Sequence, residues 1–154
     1  MSSLLSSSAI AHAADAKPPM SSEELQQLVA PIALHPDALI SQILMASTYP
    51  LEVIEADQWV KANPTVTGDA LAAALNGQSW DASVKSLMGF PAVLAMLSEK
   101  LDMTIRLGDA LIGQQKDVMT AIQVLRTKAK QAGNLTSTAQ RKVEVQSTGG
   151  TQTT

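Results

Sequence analysis

The chain has 154 residues, enough for one domain with its own hydrophobic core. It contains no cysteine, which excludes disulfides, thiol catalysis, iron–sulfur clusters and lipid attachment through cysteine. The formal net charge of -3 is too small to indicate a charged partner. Because the apolar residues are mostly Ala, Leu, Ile, Val and Met, with very few aromatics, the composition predicts an all-α fold.

Residues 1–20 resemble the end of an export signal. Leu4-Leu5 and Ala9–Ala14 resemble the tail of an apolar signal region, and Ala11-His12-Ala13 and Ala14-Asp15-Ala16 are both A-x-A patterns of the kind that signal peptidase cuts. A basic start is missing, so we interpret the segment as a shortened export signal, with a floppy Ser/Ala-rich leader as the alternative. The interpretation predicts a periplasmic or cell-envelope location. No stretch approaches ~20 uninterrupted apolar residues, so no transmembrane helix is expected.

Caps and prolines divide the predicted folded domain, residues 21–133, into helices. A capping box at Ser21 opens the first helix, which Pro31 ends or kinks. His35-Pro36 and Tyr49-Pro50 each signal a new helix start, and Asn63-Pro64 stops the second of these helices.

Two shorter helices and a restart follow in the middle of the chain. A short helix after Thr67-Gly68 is expected to end at Asn76-Gly77. Ser79 can cap the next helix, and Gly89-Phe90-Pro91 breaks that helix and starts another. The apolar positions of the helix after Ser79 share one face: Trp80, Val84, Leu87 and Met88.

The last and longest helix is predicted from a cap at Asp102 to about Ala132. If it is continuous it spans roughly 40 Å, which exceeds the width of a domain this size. Either Gly108 and Gly113 bend it, therefore, or its end projects and invites a partner or a second copy. Its apolar residues recur at spacings of four and three and form a narrow seam: Val118, Ile122, Leu125, Ala129 and Ala132.

Gly133-Asn134 is a strong stop signal, and residues 134–154 are rich in Thr, Ser, Gln and Gly. Such a composition predicts a disordered polar tail or linker, because it cannot bury enough surface to offset its ordering entropy. The sequence as a whole therefore predicts a compact bundle of about six or seven helices. The long C-terminal helix closes this bundle, and both termini are disordered.

Reactive groups are scarce in the sequence. His35 has no cysteine or second ordered histidine to pair with, so we expect a capping or packing role, with no metal site and no cofactor. Glu52 and Glu55 share a helix face and lie close to Asp57; they are read as a solvated face, with acid–base chemistry as the alternative. Sequence motifs for a nucleophile or a phosphate-binding loop are missing.

The residues with the best prospects for binding are aromatic or lie on the last helix. An exposed tryptophan would mark a contact site, although burial as a packing anchor is the more ordinary role. The candidate contact residues are Tyr49, Trp59, Trp80, Phe90, Val118, Ile122 and Leu125. Arg126, Lys128 and Lys130 lie in a basic stretch that could meet an anionic surface or could simply suit a helix C-terminus. Nucleic-acid binding is not expected, because no aromatics are interleaved with these charges.

Several motifs resemble those of a bacterial family known as domain of unknown function 3300. They include Leu28-Val-Ala-Pro-Ile-Ala-Leu-His-Pro-Asp-Ala-Leu39 and Gln42-Ile-Leu-Met-Ala-Ser-Thr-Tyr-Pro-Leu-Glu-Val53, followed by Trp59-Val-Lys-Ala-Asn-Pro64, Trp80-Asp81, Phe90-Pro91 and Ala132-Gly-Asn-Leu135. The resemblance covers roughly residues 24–143 and implies a helical domain in exported, envelope-associated proteins. It transfers no activity and no functional residue, and His35 stands where that family usually has tyrosine.

Together these observations predict a non-enzymatic interaction or scaffolding module with a protein partner or self-association. Its contact surface would be an apolar groove around Tyr49 to Trp59, or the seam of the last helix. Two alternatives stay open. One is an enzyme that acts on envelope polymers through a carboxylate pair, and the other is a peripheral binder of anionic surfaces, for which the sequence gives weaker support.

Overall fold

The structure, a computed structural model, describes the backbone of residues 18–149 and the side chains of residues 18–133. Most of the predicted leader and the end of the predicted tail, residues 1–17 and 150–154, lie outside the described residues. Within the described part the fold is all-helical, with no strands. The eight α-helices are α1 (Ser22–Val29), α2 (Asp37–Ala46), α3 (Pro50–Ala62), α4 (Gly68–Asn76), α5 (Ala82–Ser86), α6 (Pro91–Glu99), α7 (Leu101–Gly113) and α8 (Gln115–Gly149), with a 3₁₀ turn at Leu87–Gly89 after α5.

The helices wrap around one aliphatic core. Helix α1 lies along α8, α3 lies along α6, and α2 packs against both α5 and α7. Helix α4 is peripheral and has no fully buried residue, although Leu71 and Leu75 pack against the core. The largest side chains at the centre are fully buried: Leu25, Val29, Ile32, Ile43, Leu44, Val53, Val84, Leu87, Leu94, Leu97, Leu107 and Val118.

Local signals place most helix starts correctly. The Ser21 hydroxyl accepts the backbone N–H of Glu24 at 3.2 Å, which caps α1 as the capping box predicts. Pro50 and Pro91 each occupy the first turn of a helix, where their missing N–H costs no hydrogen bond.

Two predicted caps are wrong. Helix α5 begins after Asp81 rather than after Ser79, because the Asp81 carboxylate accepts the backbone N–H of Ser83. Helix α7 begins after Lys100, and Asp102 lies inside its first turn. Since α6 ends at Glu99, a single residue joins the two helices and no room is left for a cap at Asp102.

The predicted last helix is two helices, which is why the bundle has eight rather than six or seven. At Gln114 the backbone leaves the helical region (φ -140°, ψ 45°), one residue after Gly113. The Gln114 side chain then binds the chain before α1: its amide donates to the Met20 carbonyl at 2.9 Å and its oxygen accepts the Met20 N–H at 2.8 Å. The break therefore sets the direction of α8, and the Gln114 side chain attaches the residues before α1 to the bundle.

The predicted stop at Gly133-Asn134 is also wrong, because the backbone of α8 continues to Gly149. Gly133 does not adopt a positive φ, so it does not form the left-handed cap on which the stop signal depends. A glycine inside a helix costs about 1 kcal/mol, too little on its own to end one. Among residues 18–149, none of the helices is long and apolar enough to cross a membrane.

One glycine permits a close approach between two backbone segments. Gly108 of α7 faces the turn between α2 and α3, and a Cβ atom added to it would lie 2.4 Å from the Ser47 carbonyl oxygen and 3.2 Å from the Thr48 Cα. Only glycine lets the two backbones approach this closely. The crossing places one side of α7 directly against the α2–α3 turn.

Candidate functional site

The four aromatic candidates divide into two exposed and two packed residues. Tyr49 and Phe90 have 39% and 47% of their surface exposed, as a contact residue requires. Trp80 is 8% exposed and belongs to the core, and Trp59 is half-buried against it. The hypothesis that Trp80 is a surface contact residue is therefore wrong, and its size serves helix packing instead.

The apolar seam predicted on the last helix packs against other helices of the domain. Val118 and Ile122 are buried, and Leu125 is half-buried against the core. Helices α1 and α7 cover this part of α8. A projecting end was one of the two alternatives predicted from the length of this helix, and the break directly after Gly113 corresponds to the other alternative, a bend at the glycines. Val118 and Ile122 are therefore not a partner surface in this fold.

The acidic candidates hold the polypeptide together. Glu55 accepts the indole N–H of Trp80 at 3.0 Å, and Glu52 accepts the backbone N–H of Asp81 at 3.0 Å. These two bonds attach the segment before α5 to the first half of α3. Glu52 and Glu55 lie on one helix face, and both accept hydrogen bonds from the same segment. This structural role accounts for their spacing without a catalytic pair.

Asp57, the third acidic candidate, is buried within α3. It pairs with Lys61 one turn later at 2.8 Å, and the Lys61 side chain extends into solvent. The hydrogen bond that the Lys61 ammonium donates to the Asp57 carboxylate raises the pKa of Lys61 above its ordinary value. The buried charge is thereby neutralised by a partner on the same helix.

Asp81 combines a capping role with a perturbed pKa. Its carboxylate accepts the Ser83 hydroxyl at 2.5 Å and the Ser83 backbone N–H at 3.0 Å. These hydrogen bonds from Ser83, helped by the Tyr49 hydroxyl and opposed by partial burial, hold the pKa of Asp81 below its ordinary value. The same contacts place Tyr49, after the C-terminal end of α2, beside the N-terminal end of α5.

Arg126 does not point freely at an external surface. Its guanidinium donates to the backbone carbonyl of Ala33 at 2.8 Å and to that of His35 at 2.6 Å, and it also pairs with the carboxylate of Asp37. It thereby binds the turn between α1 and α2 to α8. Lys128 donates to Gln26 on α1 at 3.1 Å. Two of the three basic candidates therefore join helices of this same domain.

An apolar concavity lies beside α2 and contains Phe90. It is a groove of about 490 Å³ between the N-terminal half of α2 and the segment where α5 gives way to α6. Phe90 is held there by the Pro91 start of α6, and the groove residues on α2 lie one turn apart. We call this surface the Phe90 groove; its lining is His35, Pro36, Ala38, Leu39, Gln42, Ser86, Phe90 and Val93.

The apolar surface continues past the rim of the groove. Leu34 is 70% exposed and shares a shallow depression with His35 and Pro36, both of which also line the Phe90 groove. The ion pair between Asp37 and Arg126 borders this depression. The site is therefore an apolar strip with a charged edge.

Two polar side chains of the groove have unused hydrogen-bonding capacity. Within the part of the chain that the structure describes, neither the His35 imidazole nor the Gln42 amide has a hydrogen-bond partner. Ser86, by contrast, donates to the Ala82 carbonyl at 2.9 Å. Residues 18–133 hold no cluster of three His, Cys, Asp or Glu side chains that could bind a metal ion.

Only part of this surface could be predicted from the sequence. Phe90 was selected as an aromatic residue, but Leu39 and Val93 resemble any core position of an amphipathic helix. Leu34 had a weak signal, since an apolar residue directly before His35-Pro36 lies in a turn, where burial is harder than on a helix face. The groove forms where α2 packs against α5, and this tertiary contact is not visible in the local sequence pattern.

Comparison with known proteins gives the family. A family model described as "Protein of unknown function (DUF3300)" matches residues 21–152. The chain belongs to this family. The match confirms the resemblance carried by the His35-Pro36 and Tyr49-Pro50 motifs.

A similar protein is the "Uncharacterized protein YacH" of Escherichia coli (strain K12). It is 49% identical over 127 residues, which cover 82% of this chain and 21% of that protein. The chain thus spans about a fifth of the length of this curated relative. No solved structure gives a significant match to the chain.

Proposed function

We propose that this domain is a non-enzymatic interaction module of the bacterial cell envelope that binds an apolar segment of a partner protein in the Phe90 groove. The observation that carries the proposal is the exposure of Phe90, at 47%, on a concave and mostly apolar surface. A large aromatic ring left in water beside such a groove is costly unless a partner covers it.

The composition of the groove suits a peptide segment. Its floor is aliphatic and aromatic, and the Asp37–Arg126 pair lies at its edge rather than at its centre. Protein interfaces have this arrangement, with a desolvated apolar centre and a polar rim. Helical or extended segments dock into such grooves through a few spaced apolar side chains.

The polar groups of the groove also suit a polypeptide as the occupant. His35 and Gln42 offer unused hydrogen-bonding atoms beside the apolar floor. A bound segment exposes backbone N–H and C=O groups that need partners when water is excluded. An amide side chain can donate and accept at once, so Gln42 can satisfy one backbone group of either kind.

The envelope location is supported by the leader pattern in residues 1–20 and by the bacterial source of the similar protein. The carboxylate-pair and anionic-surface hypotheses lack a comparable observation. Glu52, Glu55 and Arg126 each bind their own chain, so their charges are already used in holding the fold.

The test compares two surface variants as bait. Phe90→Glu places a charge in the groove, whereas Met119→Glu changes an exposed residue of α8 outside it. Both full-length variants and the natural chain are immobilised, incubated with detergent-treated envelope extract, and the bound proteins are quantified by mass spectrometry. The proposal predicts a protein that the natural chain and Met119→Glu retain and that Phe90→Glu loses.

The same experiment can contradict the proposal. If the natural chain and Phe90→Glu retain the same proteins in the same amounts, the groove is not the binding surface. Thermal unfolding of each variant checks that a lost partner does not reflect a lost fold.

A further inference from the structure

A second unpartnered surface lies on α7, away from the Phe90 groove. Ile105, Arg106, Asp109 and Ile112 are all exposed, and Ile112 is 77% exposed. These positions are spaced by three and four residues, so they form one face of the helix. Neither isoleucine contributes to the core, which is unusual for two large aliphatic residues on one short helix.

The α2–α3 turn lies directly beside this helix. A Cβ atom added to Gly108 of α7 would meet the backbone of Ser47 and Thr48 in the turn. Leu51, just after the turn, is 74% exposed. We call the surface formed by Ile105, Arg106, Asp109 and Ile112 the α7 face.

The α7 face carries two charged side chains, which also border a concavity beside Met20 and Glu24. Among the described residues neither Arg106 nor Asp109 takes part in an ion pair. The closest polar contact of Arg106 is with the sulfur of Met20, at 3.8 Å. One positive and one negative group thus lie three residues apart on the same face, each without an opposite charge bound to it.

We propose that the α7 face is the interface of a symmetric dimer, in which α7 packs antiparallel against α7 of a second copy. A two-fold axis at the level of Gly108 places Ile105 within one residue of the level of Ile112 of the partner subunit, and each such contact occurs twice. In the same register Arg106 lies within one residue, about 1.5 Å along the helix, of the level of Asp109 of the partner subunit. The apolar pairs and the ion pairs are therefore satisfied by one arrangement.

The charge pattern favours a second copy over other occupants. In a two-fold dimer the isoleucine side of α7 contacts the isoleucine side of the partner's α7. The side of α7 that carries Arg106 likewise contacts the corresponding side of the partner's helix. Asp102 and Asp109 make this surface unsuitable for an anionic membrane. The dimer leaves the Phe90 groove uncovered, since the two surfaces share no residue.

The test is sedimentation velocity on the full chain over a range of concentrations, with charge-reversed variants. The natural chain should reach twice the 16.2 kDa monomer mass as concentration rises. Ile112→Asp should weaken the dimer at least ~10-fold, since the substitution acts at two symmetric contacts. Arg106→Glu should also weaken it, and Arg106→Glu combined with Asp109→Arg should restore it. Leu34→Asp, on the other exposed surface, should leave the dimer unchanged.

Three results would overturn the proposal: a natural chain that stays monomeric at several hundred micromolar, a dimer that Ile112→Asp does not weaken, or a double reversal that fails to rescue Arg106→Glu. The double variant restores the charge pair with opposite polarity, so rescue would not follow from a merely structural role of Arg106. Circular dichroism confirms that each variant is folded.

Discussion

Gly108→Ala should destabilise the domain, whereas Gly113→Ala on the same helix should not. The new Cβ would lie 2.4 Å from the Ser47 carbonyl oxygen and 2.9 Å from the Ser47 carbonyl carbon, whereas ordinary contacts begin at 3.4 Å. Helix α7 would have to move by about 1 Å, because the obstacle is backbone and cannot rotate away. Such overpacking typically costs about 1–3 kcal/mol, and this case falls in the upper part of that range.

The gain in helix propensity offsets part of this cost. Replacing glycine by alanine inside a helix stabilises it by about 1 kcal/mol, so the net loss should be about 1–2 kcal/mol. For a domain of this size that corresponds to a fall in Tm of roughly 3–8 °C. Urea unfolding followed by circular dichroism gives the free energy directly, and thermal unfolding gives the Tm.

Gly113→Ala is the matched control, since it lies on the same helix and a Cβ there meets nothing within 4 Å. It should leave the stability unchanged or slightly raised. If Gly108→Ala were as stable as Gly113→Ala, the close crossing of α7 over the α2–α3 turn would not exist as described.

Three further predictions concern polar contacts. Arg126→Met should cost about 2 kcal/mol in urea unfolding, because it removes bonds to two backbone carbonyls, while Lys128→Met should cost under about 0.5 kcal/mol; equal costs would contradict the role of Arg126. Folding holds the pKa of Asp81 below its ordinary 3.8, so its charge stabilises the fold at neutral pH, and this contribution is lost as the pH falls through and below 3.8. Asp81→Asn should therefore destabilise the domain at pH 7 more than at about pH 3, and a pH-independent difference would refute this. Gln114→Ala should raise amide exchange at Met20 by about 10-fold or more in mass spectrometry, and unchanged protection would show that the hydrogen bonds of Gln114 to Met20 are not needed.

Local sequence signals predicted the helices well because they depend on neighbouring residues. The serine cap of α1 and the proline starts of α3 and α6 are decided within one turn, and the structure confirms them. The break at Gln114 is different. Its side chain binds Met20, 94 residues earlier, and no local pattern could show that contact.

The candidate site was harder to predict because burial depends on which helices meet. Val118 and Ile122 have the spacing of a projecting seam, yet α1 covers them. Ile112 has the same apolar character and nothing covers it. From the sequence alone, Ile112 and the seam residues are equally good candidates for burial. Which of them is exposed depends on how α1, α7 and α8 pack against one another.

The two proposed surfaces have a joint consequence that neither has alone. A dimer through the α7 face carries two Phe90 grooves related by a two-fold axis. A partner with two suitable apolar segments would then bind the second groove intramolecularly, which raises its apparent affinity without any new contact. Ile112→Asp would abolish this gain while leaving the affinity for a single segment intact, whereas Phe90→Glu would reduce binding of one segment and of two. The affinities of single and tandem segments of a partner identified by the bait experiment can therefore be compared by titration. The comparison distinguishes the role of the Phe90 groove, which binds a segment, from that of the α7 face, which brings two grooves together.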